Sequence, residues 1–185
     1  MEAPEVEGKN QTLNNWVAAT VVILSVVMAL CKIKDDNIVQ AMQVAKADAV
    51  DTWAEYQAKR LKRYVSESAV SQAELDKLQG NANAQRFIDD YNAKIVKLDK
   101  DSDELKAKAK ALEAQYDVLG YRDDQFDLSD ALLSISIAVA AVAALTEKRK
   151  LLMLSWGFGT GGIIFGLAGF LGWALHPDWI IKLLT

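Results

Sequence analysis

Residues 151–175 read LLMLSWGFGTGGIIFGLAGFLGWAL, and none of them carries a charge. A helix needs about 20 apolar residues to cross a bilayer core of roughly 30 Å, so this block is long enough to span with some tilt. Two other uncharged blocks stand beside it. Residues 13–31, LNNWVAATVVILSVVMALC, just reach the required length; residues 131–145, ALLSISIAVAAVAAL, reach it once Leu128 to Asp130 begin the helix. Uncharged runs of this length are foreign to a soluble core. The blocks predict an all-α membrane protein with three transmembrane helices, at 13–31, 128–145 and 151–175. Around them fall an acidic leader (1–12), a short basic loop (146–150) and an interfacial tail (176–185). Between the first two spans lies a long extramembrane helical, coiled-coil-like hairpin (32–127) with its tip near 66–83.

The third block concentrates seven of the chain's ten glycines, although glycine costs a helix about 1 kcal/mol against alanine. Ser155, Gly159, Gly162, Gly166 and Gly169 step by four and three and fall on one face. No hydrophobic force drives helices together within lipid, and small residues allow the close van der Waals approach that replaces it. The spacing predicts a packing face. The second span offers Ala131, Ser134, Ala138, Ala141 and Leu145 as an internal partner; a neighbour from the same chain and one from another both fit, and the glycine content favours another subunit. A pore lining or gate is the competing reading, although the charged rings common to ion pores are missing from this block.

Residues 32–127 hold 16 Lys/Arg and 19 Asp/Glu and no proline. Ile88, Tyr91, Ile95, Leu98, Ser102, Leu105, Ala109, Leu112, Tyr116 and Leu119 alternate steps of three and four, a heptad seam for lengthwise packing on another helix. Gly120 offers a C-terminal stop. The partner helix is expected over 36–66, where Val39, Met42, Ala45, Ala49, Val50, Trp53, Tyr56, Leu61 and Tyr64 spread over more than one stripe. So broad an arc needs a second neighbour besides the hairpin partner; a second copy of the chain is expected there, with Trp53 and Tyr56 in its contact. The hairpin should fold near Gly80, within QGNANA, after a short helix capped by Ser71 and Glu74. That register sets Lys59, Arg60, Lys62 and Arg63 opposite Asp99, Asp101, Asp103 and Glu104, which favours ion pairs over nucleic acid or lipid headgroups.

Lys148, Arg149 and Lys150 sit in the short loop, and short basic loops stay in the cytoplasm. The N-terminus is then cytoplasmic and the hairpin periplasmic. Trp16, Trp156, Trp173 and Trp179 suit the interfaces. An acidic leader argues against a cleaved signal, and Leu30 before Cys31 against a lipidated cysteine. Asp130 is the acid placed to enter the hydrocarbon, where charge is functional by default; with Asp127 as N-cap it would instead complement the start of the second span's helix. One Cys and one His (His176) allow neither an internal disulfide nor a Cys/His metal site. With no nucleophile–base pair or phosphate loop, the expectation is a protein that is not an enzyme and has no cofactor.

DTWAEYQAKRLK (51–62) and FDLSDALLSISIAVAAVAALTEKRKLL (126–152), after Asn14, Asn15 and Trp16, resemble the bacterial membrane-protein family called domain of unknown function 4337. The resemblance covers nearly the whole chain and differs at Glu55 and at Ser129 and Asp130. It implies the layout above and brings no activity, cofactor or partner. The sequence therefore reads as a homo-oligomeric structural or scaffolding protein whose partners are itself, membrane lipids and, as a further candidate, another membrane complex, with no nucleic acid. A channel or transport component with a path along the oligomer axis is the alternative.

Overall fold

The computed structural model describes residues 11–173 and 175. The leader before residue 11 and the tail from 176 on, with His176 and Trp179, lie outside the described residues. The described chain is three α-helices, α1 (Gln11–Leu78), α2 (Ala84–Thr146) and α3 (Arg149–Leu171), each with a stretch long and apolar enough to cross a membrane. At 23 residues, α3 is about 35 Å long at 1.5 Å per residue.

Several helix ends expected from local signals are absent. Ser71 does not start a short helix: α1 runs unbroken to Leu78, and Ser71 Oγ donates to the carbonyl of Glu67, one turn back. Gly120 does not stop α2, which continues through it to Thr146; one glycine weakens a helix by about 1 kcal/mol but removes no hydrogen bond. For the same reason Asp127 caps nothing and Asp130 is not in a first turn, since both lie in the middle of α2. The true turns are short. Gly80, at φ 88°, takes a conformation that L side chains rarely adopt, and Asn81 Oδ1 accepts from the Asn83 amide to lead into α2.

The described residues divide into two compact units, one of those up to 41 with those from 118 on, the other of residues 42–117. In the first, segments of all three helices surround a core of Leu13, Val17, Ala140, Ala143 and Leu152. In the second, α1 and α2 pack side by side in opposite directions. Lys59 Nζ meets Asp101 at 2.7 Å and Arg63 Nε meets Asp99 at 2.6 Å, while Trp53 Nε1 donates to Glu113 at 2.9 Å. The seam between them buries Ala45, Ala49, Ile88, Leu98 and Ala109, with Tyr91, Ile95, Leu105 and Leu112 half-buried along it. Its buried polar members Thr52, Ser66 and Ser102 each donate to a carbonyl four residues back, so small hydroxyls sit in the seam without unmet hydrogen bonds.

Candidate functional site

The glycine face of α3 is filled by the protein's own helices. Ser155, Gly159, Gly162, Gly166 and Gly169 are all buried. A Cβ added at Gly162 would lie 2.7 Å from Leu133 Cγ and 3.1 Å from the Leu133 backbone nitrogen. At Gly166 it would meet Cys31 Sγ at 2.8 Å and Ser129 Oγ at 3.0 Å; at Gly169, the Phe126 ring at 2.7 Å; at Gly159, Ser136 Oγ at 3.0 Å and Leu24 at 3.2 Å. Side chains of α1 and α2 of the same chain lie at these four glycines, on the face where another subunit was expected. Gly157, by contrast, has nothing within 4 Å of an added Cβ, and Gly161 only Leu132 at 3.5 Å.

Polar side chains bind this packing together. Ser136 Oγ donates to the Ser155 carbonyl at 2.6 Å and Ser155 Oγ returns to the Ser136 carbonyl at 2.8 Å. Ser129 Oγ donates to the Gly162 carbonyl at 2.8 Å. All three serines are fully buried. Such interhelical bonds average about 0.6 kcal/mol in membrane proteins, and close approach of the backbones is what brings them within reach. Trp16 and Trp156 meet edge to face with ring centroids 6.1 Å apart, and Trp156 Nε1 donates to Thr20.

The end of α3 is held by residues that sequence reading passed over. A helix leaves its last carbonyls without partners. Here Arg122 Nε and Nη2 both donate to the Gly169 carbonyl, at 3.1 and 3.0 Å, and Gln125 Nε2 donates to the Trp173 and Leu175 carbonyls, each at 2.7 Å. Gly172, at φ 68°, turns the chain out of the helix as a left-handed cap. The only sequence signal was Arg122 and Gln125 set just before an apolar block.

Acids of α1 and α2 gather near this stretch of α2. Asp35 is 4% exposed; its Oδ2 accepts from Lys32 at 2.8 Å, and its Oδ1 is buried without a fixed donor. Burial, the hydrogen bond with Asp35 and the charges of Asp35, Asp127 and Asp124 push the Asp123 carboxyl up to about 7. Burial, then the charge of Asp35, also raises Asp127. A carboxyl that holds its proton more tightly when folded favours folding at low pH. That stability is complete below the ordinary value of 3.8 and is lost as pH rises to about 7. Unfolding followed from pH 4 to 8 should show a loss of about 1–2 kcal/mol over that window once solvent access is allowed for. Asp123→Asn should flatten the loss; an unchanged slope would contradict it. Asp130 is exposed on α2.

Trp53 and Tyr56, expected to meet a second copy, also have neighbours within the chain. Tyr56 is half-buried on the seam with α2, Trp53 bonds to Glu113 across it, and the two rings pack edge to face at 5.4 Å. The open side of α1 is elsewhere. Steps of three and four run from Ala47 through Val50, Ala54, Gln57, Leu61, Tyr64, Ser68, Ser71 and Leu75 to Leu78, all exposed and none charged. The adjacent row, Val44, Asp51, Ala58, Val65 and Gln72, contributes one charge, Asp51.

The described residues thus define an all-helical protein with three helices long and apolar enough to span a membrane, closed on its own glycine face. The chain belongs to the family described as Domain of unknown function (DUF4337), whose model matches residues 13–172. No curated protein and no solved structure matches it.

Proposed function

We propose that this is a non-enzymatic integral protein of a bacterial inner membrane that assembles with copies of itself into a structural scaffold. Three spans anchor it, with the N-terminus and the Lys148–Lys150 loop in the cytoplasm and the α1–α2 hairpin in the periplasm. The observation that carries this reading is where the apolar surface lies. In the spans, Ser129, Ser136, Ser155, Gly159, Gly162, Gly166 and Gly169 are inside, while Val22, Ile23, Val26, Leu30, Met153 and Leu154 are half or more exposed, the arrangement suited to lipid. In the hairpin, exposed apolar side chains continue along α1 beyond the segment that would be in lipid, where only another protein surface covers them.

Two measurements test it. The particle extracted in mild detergent should have the mass of more than one chain; a single-chain mass would sink the scaffold. A membrane-impermeant maleimide should label Ala82→Cys, at the turn between α1 and α2, in cells whose outer membrane alone has been opened. Labelling only after the inner membrane is broken would reverse the orientation. The channel alternative has its own readout: reconstituted protein that conducts ions across vesicles would replace the scaffold reading, and no conductance is expected.

A further inference from the structure

We propose that a second copy of this chain docks on the outer arc of α1 between Ala47 and Leu78, the two α1 helices running parallel and in register. This rests on the scaffold reading and adds to it the surface, the direction and the register.

The two helices of the unit differ on their outer sides. On α2 the positions facing away from the seam include Arg86, Asp89, Lys97, Lys100, Asp103 and Glu104, all exposed, an ordinary solvated face. The matching arc of α1 carries Asp51 as its single charge, although Lys, Arg, Asp and Glu are frequent elsewhere on that helix. The contrast marks the α1 arc as a surface kept for packing. Val50, Leu61, Tyr64, Val65, Leu75 and Leu78 are 53% to 84% exposed on it. Together they leave on the order of 700 Å² uncovered per chain, close to the roughly 800 Å² per partner of a standard interface.

The pattern also names the occupant. The arc is a second heptad seam, with Ala47, Ala54, Leu61, Ser68 and Leu75 at one core position and Val50, Gln57, Tyr64, Ser71 and Leu78 at the other. Two copies inserted the same way in one membrane run parallel. In a parallel in-register pair, the residue flanking the seam on one helix faces the residue five places on in its partner. Lys46, exposed beside the seam with its Nζ 5.4 Å from the centre of the Tyr116 ring of α2, turns from that ring to face Asp51 of the second copy, and symmetry makes this contact twice. The one charge on the arc thereby finds its opposite, as flanking pairs do when they set direction in coiled coils. Gln57 meets its own copy across the axis, a polar core contact of the kind that fixes register.

Disulfide trapping in native membranes tests this, in a Cys31→Ala background. Leu61→Cys, with Tyr64→Cys as a second position, should give a covalent dimer on mild oxidation, and Lys100→Cys on the outer side of α2 should not. Asp51→Lys should weaken association about tenfold, and Lys46→Asp combined with Asp51→Lys should restore it. A multi-chain particle with no bond at either position and no response to the charge changes would overturn the arc and leave the scaffold standing. A bond from Leu61→Cys to a different protein would also overturn it. A single-chain mass would remove both the arc and the scaffold.

Discussion

Gly162→Leu is expected to abolish the three-helix packing, and Gly162→Ala to weaken it by about 2 kcal/mol, the scale of overpacking in a tight core. Even the alanine methyl would fall 2.7 Å from Leu133 Cγ and 3.1 Å from the Leu133 main-chain nitrogen. A side chain can rotate away; the backbone of α2 cannot move without its neighbours. Alanine's better helix propensity returns up to about 1 kcal/mol, which the clash outweighs. Gly157→Ala is the control. Nothing lies near its added methyl, so only the propensity gain remains, and stability should hold or rise. Thermal unfolding in detergent reads the difference, a drop of roughly 5 °C for Gly162→Ala. Equal melting of the two alanine variants would show that the glycine face is not a contact.

Phe126→Ala should cost about 3 kcal/mol, in the range for removing a buried ring. Phe126 is 2% exposed, fills the hollow left at Gly169 and meets Phe170 edge to face with centroids 5.3 Å apart. Its loss opens a cavity where α3 ends, beside the carbonyl held by Arg122. Faster hydrogen exchange at the Trp173 amide, which bonds to the Ala168 carbonyl, should accompany the loss of stability. Protection unchanged there would mean that the ring does not hold the end of α3. Phe126→Leu should cost less than half as much, because leucine fills part of the hollow.

The long-range pattern was legible because it repeats. The seam from Ile88 to Leu112 keeps its alternating step over many turns, and the Lys59 and Arg63 pairings follow from folding that register back on itself. Single residues misled. Gly120, Ser71 and Asp127 each resemble a helix boundary locally, but a boundary forms only where the chain on both sides lets go of its hydrogen bonds. The tertiary packing of α1 and α2 keeps those bonds. The spacing of Gly159, Gly162, Gly166 and Gly169 told how closely a neighbour approaches and not whose chain it belongs to. That needed the fit of Leu133, Ser129, Cys31 and Phe126 into the gaps. Trp53 and Tyr56 drew attention as large aromatics. The open arc holds Val50, Leu61 and Tyr64, part of the apolar spread read from the sequence, and only the burial of the other stripe shows that these stay uncovered.

The closure of the glycine face within one chain is tested most directly by Ser129→Cys. Ser129 Oγ and Cys31 Sγ lie 3.9 Å apart, and together they fill the space at Gly166. Oxidation should join the new sulfur to Cys31 of the same chain, giving a species of single-chain mass that runs faster without reductant. A bond from that sulfur to Cys31 of another chain, seen as a covalent dimer, would contradict the closure and return the glycine face to an intersubunit contact.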